Sequence, residues 1–321
     1  MSEVATRISL SRIEAGLNRI DRAFLATPQF HSTALSDRLG VRLALKVETI
    51  NPLGSFKGRG ADLFVSSLTS SSETLVCASA GNFGQALAYS ARKRGQPVVV
   101  FAAENASPTK IDRMRLFGAD VRLCGRDLDE AKHTAAAFAN DVGARFVEDG
   151  REVAISEGAG TMGVEICNGS RSFDFAVLPL GNGALLAGVG TWLKHKSPET
   201  KVIGVCAAGA QAMATSWRTG TIEVTSSVST IADGIAVRVP VAEALSDLKG
   251  VVDDILIVED DAIRQAMRIV FECHSLIAEP AGAAGLAAVI AHTHQFRDAR
   301  VITPLCGANL TMQQAKRWLL D

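Results

Sequence analysis

The sequence predicts a two-domain α/β fold: mostly parallel sheets flanked by helices. Three observations carry that prediction. Short unbroken Val, Ile and Leu runs alternate with helical patterns, and such runs are strands buried on both faces. The chain has 321 residues, a length for one large or two ordinary domains. Several apolar runs end in clusters of Gly, Ser and Asn that open directly into a helix, which is where open α/β sheets bind ligands.

The elements follow in order. Residues 43–47 read as a strand, and a helix begins near Lys57. The apolar run 74–76 leads to a helical pattern over 84–94. Residues 97–102 form a buried strand, after which Ser107 as N-cap and Pro108 at the first position start a helix. Residues 120–123 are the next strand and 128–140 the next helix. Further strands are expected at 175–180, 201–205, 255–258 and 301–305, with helices such as 185–195 and 262–274 between them. The acidic run Glu259-Asp260-Asp261 reads as a solvated helix start, where carboxylates suit the dipole. No fixed-period repeat or low-complexity tract is visible.

Composition removes several function classes. The 33 basic and 34 acidic residues give a net charge of −1, so no nucleic-acid grip is expected. One Tyr and three Trp offer no platform for stacking bases. The six cysteines are scattered without a Cys-x-x-Cys pair, which reads as free thiols in a reducing cytoplasm. No secretory leader pattern and no uncharged apolar run of ~18 residues occurs, so no membrane partner is expected.

Four strand ends carry unusual residues. Residues 51–60 read Asn-Pro-Leu-Gly-Ser-Phe-Lys-Gly-Arg-Gly and place Lys57 at a helix start, where the dipole disfavours an ammonium. Such a lysine is either a solvated surface residue or an amine that is bound up or neutral, as in a Schiff base. Residues 79–85 read Ser-Ala-Gly-Asn-Phe-Gly-Gln, small residues that bring backbone amides near an anion at a helix N-terminus, with Asn82 adding a side-chain donor and acceptor. Residues 178–188 form a third turn in which Gly181 and Gly183 let the backbone wrap a phosphate. Its third glycine falls at 188 instead of 186, and no Gly-Lys pair exists in the chain, so neither dinucleotide nor Walker signature is present. Finally, Cys306 follows an apolar strand; alone, it would be an inert buried thiol.

Together these residues resemble the fold-type II pyridoxal-phosphate enzymes, the tryptophan synthase β-like fold. Within them the chain is similar to the serine/threonine dehydratase (threonine ammonia-lyase) and serine racemase group. The resemblance runs from Thr27-Pro28 to Asn309. It rests on Ser-Phe-Lys-Gly-Arg-Gly at 55–60, Thr-Ile-Ala-Asp-Gly-Ile-Ala-Val at 230–237 and Glu-Pro-Ala-Gly-Ala-Ala-Gly-Leu at 279–286. It implies that Lys57 holds pyridoxal 5'-phosphate as a Schiff base and then acts as base at Cα. Phe56 is expected beside the cofactor ring, Asn82 on its 3-hydroxyl, and Cys306 opposite its nitrogen. Gly181, Asn182, Gly183, Ala184 and Leu185 are expected to cradle the phosphate, and Gly234 to leave room at the Schiff base. The substrate falls to Ser79, Ala80, Gly81 and Asn82, with Glu279 near it.

The implied activity is β-elimination from L-threonine or L-serine, with the cofactor phosphate as acid for the departing hydroxyl. A neutral thiol opposite the ring nitrogen weakens the electron sink and favours elimination over transamination. Rival readings are dehydration of 3-hydroxyaspartate or phenylserine, β-replacement, and a non-catalytic amino-acid-binding relative. The implied organisation is a large domain from residues 1–47 and 148–321, a small mobile domain from 48–147, and a homodimer.

The chain departs from the family pattern in places. Phe83 stands where His is common, and Asn182 and Ala184 replace two of the usual four glycines. Ala80 stands where racemases carry their second base, so racemisation is expected to be weak. Residues 204–212 lack the carboxylates that hold a divalent cation in racemase-like members, so no metal is expected. Feedback through a further regulatory domain is not expected either.

Overall fold

The structure is a computed structural model that describes residues 7–169 and 172–320. The expected segments 1–47 and 148–321 include residues 1–6, 170–171 and 321, which lie outside the described residues. In chain order the strands are β1 (Gln29–His31), β2 (Arg42–Val47), β3 (Leu75–Ala78), β4 (Val98–Ala102), β5 (Asp120–Leu123), β6 (Arg145–Phe146), β7 (Phe175–Pro179), β8 (Lys201–Ala207), β9 (Asp254–Val258) and β10 (Arg300–Leu305). They form two sheets. One has the order β1-β2-β10-β7-β8-β9, the other β5-β4-β3-β6. Every pairing is parallel except β1 with β2.

The apolar runs explain the parallel arrangement. All of β4, and β8 and β10 after their first residues, are buried, as strands covered by helices on both faces must be. The short β5 differs: only Val121 of its four residues is buried, because it is the edge of the smaller sheet. The helix expected at 84–94 starts at Asn82, so the polar loop after β3 feeds the helix within three residues. Ser107 is the N-cap residue, but its hydroxyl caps nothing. Its carbonyl instead accepts from the amides of Lys110 and Ile111. Asp260 is a second correction. It accepts from the Thr230 hydroxyl at 2.6 Å and the Ile231 amide at 3.0 Å, tying down the 230–237 loop instead of facing water. All six cysteines are free thiols. Among the described residues no helix is long and apolar enough to cross a membrane.

Beneath the start of the helix Lys57–Ser67 lies a buried charge network. The Arg59 guanidinium, fully buried, donates to both oxygens of Glu48 at 2.8 and 2.9 Å. It also donates to Glu165 at 2.8 and 2.9 Å and to the Thr161 hydroxyl at 3.0 Å. Lys46, at the end of β2, reaches Glu165 at 2.5 Å. Two cations thus face two carboxylates. Burial alone would raise the Glu165 carboxyl, but Arg59 and Lys46 win and hold it down at about 2. The network joins β2, the Lys57–Ser67 helix and the Val153–Asn168 helix.

Replacing Arg59 with Leu leaves Glu48 without a cation in the interior and Glu165 with Lys46 alone. The expected loss is roughly 3–5 kcal/mol of unfolding free energy, read from urea denaturation. A loss under about 1 kcal/mol would show that the network does not anchor this helix.

Candidate active site

The carboxyl ends of both sheets open onto one cavity of about 440 Å³, a size suited to a small molecule. Every residue singled out from the sequence lines it: Phe56 and Lys57, 79–82, 181–185, Gly234, Glu279 and Cys306. Most come from a strand-to-helix turn or a strand end, where the parallel topology gathers them; Gly234 lies in the 3-10 turn Asp233–Ile235, and Glu279 is the N-cap residue of the helix Pro280–Ala291.

Lys57 is the first residue of its helix, and the N-cap position, Phe56, makes no side-chain cap bond. Its Nζ lies 4.8 Å from the Phe56 ring centroid and 2.5 Å from Asp149 Oδ2. The carboxylate offsets the unfavourable helix dipole at the amine. Across the cavity, the helix Ala184–Lys196 begins after Gly183, whose φ of +93° few side-chain-bearing residues adopt. Among the described residues, the amides of Gly183, Ala184 and Leu185 have no acceptor within the protein. Free amides at the positive end of a helix are an anion cradle.

Asn82 is fixed on both sides. Its Nδ2 donates to Glu279 Oε1 at 2.5 Å, and its Oδ1 accepts from Asn309 Nδ2 at 2.7 Å. Glu279 Oε2 accepts from the Asn309 amide at 3.0 Å. Glu279 therefore commits both oxygens to holding Asn82 and Asn309. The Ser79 hydroxyl oxygen accepts from the amides of Gly81 and Gly84, at 3.2 and 3.0 Å, so it orders its own loop and leaves only its O–H to donate. A Cβ on Gly234 would meet that of Ala281 at 2.9 Å, so the 230–237 loop lies directly on the Pro280–Ala291 helix. Cys306 follows β10 with its thiol buried; burial first, then Glu48 and Glu279, push it well above the ordinary thiol range against the opposing effect of Lys57, so it is neutral.

The structure adds groups that sequence reading missed. Lys110 pairs with Asp233 at 2.5 Å, and Arg238 with Asp129 at 2.7 Å. Both pairs cross from the smaller-sheet unit to the 230–238 segment. Burial opposes the Lys110 charge, but Asp233 and Glu279 together hold its pKa above the ordinary lysine value. Asp149 was also missed. Its signal, Glu-Asp-Gly after an apolar pair, sits behind a two-residue strand too short to register as a strand end.

A family model described as pyridoxal-phosphate dependent enzyme matches residues 20–307. L-threonine ammonia-lyase of Geobacter sulfurreducens is 32% identical over 303 residues, 94% of this chain and 75% of that protein. The processed form of threonine deaminase isoform 2 from Solanum lycopersicum superposes with a TM-score of 0.87 at 28% identity, over 97% of this chain and 94% of that one. Maize serine racemase superposes with a TM-score of 0.88 at 25% identity, over 97% and 96% of the two chains.

Burial pushes the Glu279 carboxyl up to about 7, with Asp233 adding to it, against the opposing effects of Lys110, Asn82 and the Asn309 amide. A folded-state value above the unfolded one means that folding favours the protonated acid. That stability is fully present below about pH 4.5 and is lost as pH rises through about 7. In the cofactor-free protein, Glu279→Gln is expected to flatten the fall in stability between pH 5 and 8 by roughly 3 kcal/mol relative to the parent. Parallel curves from denaturant titrations at each pH would contradict this.

Proposed function

This chain belongs to the family of pyridoxal-phosphate-dependent enzymes, and on that footing we propose that it is an ammonia-lyase converting L-threonine or L-serine to 2-oxobutanoate or pyruvate plus ammonia. The observation that carries the reading is the meeting of Lys57 with the free amides of Gly183, Ala184 and Leu185 in one cavity. The residues present fit the cofactor. An amine stands where an aldehyde would be captured, an aromatic ring lies beside it, and an anion cradle has no protein acceptor.

When bound, pyridoxal phosphate supplies an electron sink for the pair left when the Cα–H bond breaks. The rest falls to the protein. The 183–185 amides would hold the phosphate, and Lys57 would hold the aldehyde carbon and then take the Cα proton. Asn82, locked by Glu279 and Asn309, presents a fixed amide to the ring's hydroxyl. The 79–82 loop receives the substrate carboxylate on backbone amides and the Ser79 O–H. The Cys306 thiol, kept neutral by burial, gives the ring nitrogen no negative partner. Ala80 offers no second base, which favours elimination over racemisation.

A substrate with a second carboxylate is a poorer fit. Of the cations lining the cavity, Lys110, Lys132 and Arg238 already face Asp233, Glu148 and Asp129. Segment 48–147 is proposed to move as a small domain that closes over the substrate, with the Lys110–Asp233 and Arg238–Asp129 pairs as its latches. The protein is further proposed to be a cytoplasmic homodimer; six free thiols suit a reducing compartment.

The test is a substrate panel of L-threonine, L-serine, D-serine, 3-hydroxyaspartate and phenylserine, with keto acid and ammonia measured together. Turnover of L-threonine or L-serine, lost in Lys57→Ala by a factor of at least about 10³, is the expected result. Turnover confined to another member of the panel would overturn the substrate assignment.

A further inference from the structure

Resting on the ammonia-lyase reading, we propose that Asp149 is a second catalytic residue: it receives from Lys57 the proton taken from Cα and delivers it to the departing β-hydroxyl. The starting point is a contact. Asp149 Oδ2 lies 2.5 Å from Lys57 Nζ, and no other carboxylate among the described residues pairs with that amine. Both side chains are mostly buried and line the same cavity.

The other Asp149 oxygen points to a ligand. Oδ1 is buried and has no hydrogen-bond partner in the protein. A buried carboxylate oxygen left without a donor is costly, so it is an acceptor that a group in the cavity would satisfy. The neighbouring acid does not share this position: Glu148 pairs with Lys132 and Arg151. The backbone holds the carboxylate where it is. Gly150 has φ of +89°, and a Cβ there would come within 2.5 Å of the Asn182 carbonyl. The segment carrying Asp149 is thus pressed against the 181–185 turn, beside the anion cradle and against the lysine.

The chemistry needs such a group. Hydroxide is a poor leaving group and must depart as water, so an acid has to reach the β-oxygen. Lys57, once it carries the Cα proton, is an ammonium touching Asp149 and the Phe56 ring. Other protein groups nearby are absent or engaged: Ala80 has no hydroxyl, and the Ser79 oxygen accepts from two amides of its own loop; the rival acid is the cofactor phosphate at the 183–185 amides. Any substrate amino group that exchanges with the Lys57 amine brings its Cα and β-substituent into the neighbourhood of Asp149. The balance closes. The Cα–H bond breaks and its electron pair becomes the Cα–Cβ double bond. The Cβ–O bond breaks and its pair leaves on oxygen. One proton moves from Cα to Nζ, to Asp149, to the oxygen; water departs and both residues regain their starting states.

The experiment uses leaving groups that differ in their need for a proton. The holoenzyme and its Asp149→Asn variant are assayed with L-threonine and with β-chloro-L-alanine, whose chloride leaves unprotonated. The expected result is a fall in kcat on threonine of about 100-fold, with the rate on chloroalanine within about threefold of the parent. Asp149→Glu, which keeps a carboxyl, is expected to recover part of the threonine rate. A second readout needs no turnover. In the cofactor-free protein, Lys57 acylation by acetic anhydride, followed by peptide mass analysis, is expected to be severalfold faster in Asp149→Asn, because the amine loses its anchor. Equal losses on both substrates, no loss on threonine, or unchanged acylation would each overturn the relay; the second result would assign the acid to the cofactor phosphate. A parent enzyme inactive on threonine, serine and chloroalanine alike would overturn the lyase reading and the relay with it. Loss of the selectivity in an active enzyme overturns the relay alone.

Discussion

The buried Arg59 guanidinium is the constraint on which the catalytic geometry depends. Lys57 starts a helix whose N-cap makes no side-chain bond, and its own charge opposes the helix dipole. Locally that first turn has only short-range support: the Ser55 hydroxyl accepts from the Lys57 amide at 3.2 Å, and the Phe56 carbonyl from the Arg59 amide at 3.0 Å. Two residues on, Arg59 grips Glu48 after β2 and Glu165 on the Val153–Asn168 helix, and Lys46 shares Glu165. A buried ion network of this kind adds little net stability compared with a well-packed apolar one. Its effect is directional: the fork of the guanidinium admits one orientation, and the helix carrying the lysine inherits it.

The site is then completed by two sheets instead of one. The larger sheet contributes the 181–185 turn and Cys306, and the N-cap of the helix Pro280–Ala291 adds Glu279; the smaller sheet contributes the 79–82 loop and, beyond β6, Asp149. Across the cavity the halves meet through polar pairs: Asn82 with Glu279 and Asn309, Lys110 with Asp233, Arg238 with Asp129, and Arg113 with Asn309; behind it they share apolar clusters that include Phe64 and Ile155, and Phe24 and Leu63. Polar interfaces between units open at lower cost than apolar ones, which suits a cleft that must admit and release a polar amino acid. The Glu279 acid sits at this seam, so its protonation bears on how firmly Asn82 is held.

Much of this was legible in the sequence because it is local. Unbroken apolar runs gave eight of the ten strands among the described residues, all but β1 and β6, and the Gly, Ser and Asn clusters behind 47, 78 and 179 marked the ligand-facing turns by a topological rule alone. What stayed hidden are pairings between residues distant in sequence. Lys57 and Asp149 are 92 positions apart, and Asn82 and Glu279 are 197 apart. No periodicity encodes such meetings. Asp260 was misread for the same reason: an acidic residue at a helix start has a sufficient local explanation, and its real partners, Thr230 and Ile231, lie about 30 residues earlier. Asp149 escaped because β6 has only two residues, leaving no apolar run to mark the strand end.

The central claim is that Lys57 is the residue that takes up the cofactor, and chemical trapping tests it most directly. The purified protein would be incubated with pyridoxal phosphate, reduced with sodium borohydride, digested, and mapped by mass spectrometry. One phosphopyridoxyl group, on Lys57, is the expected product. A group on Lys110 or Lys132 with Lys57 unmodified, or none at all, would contradict it.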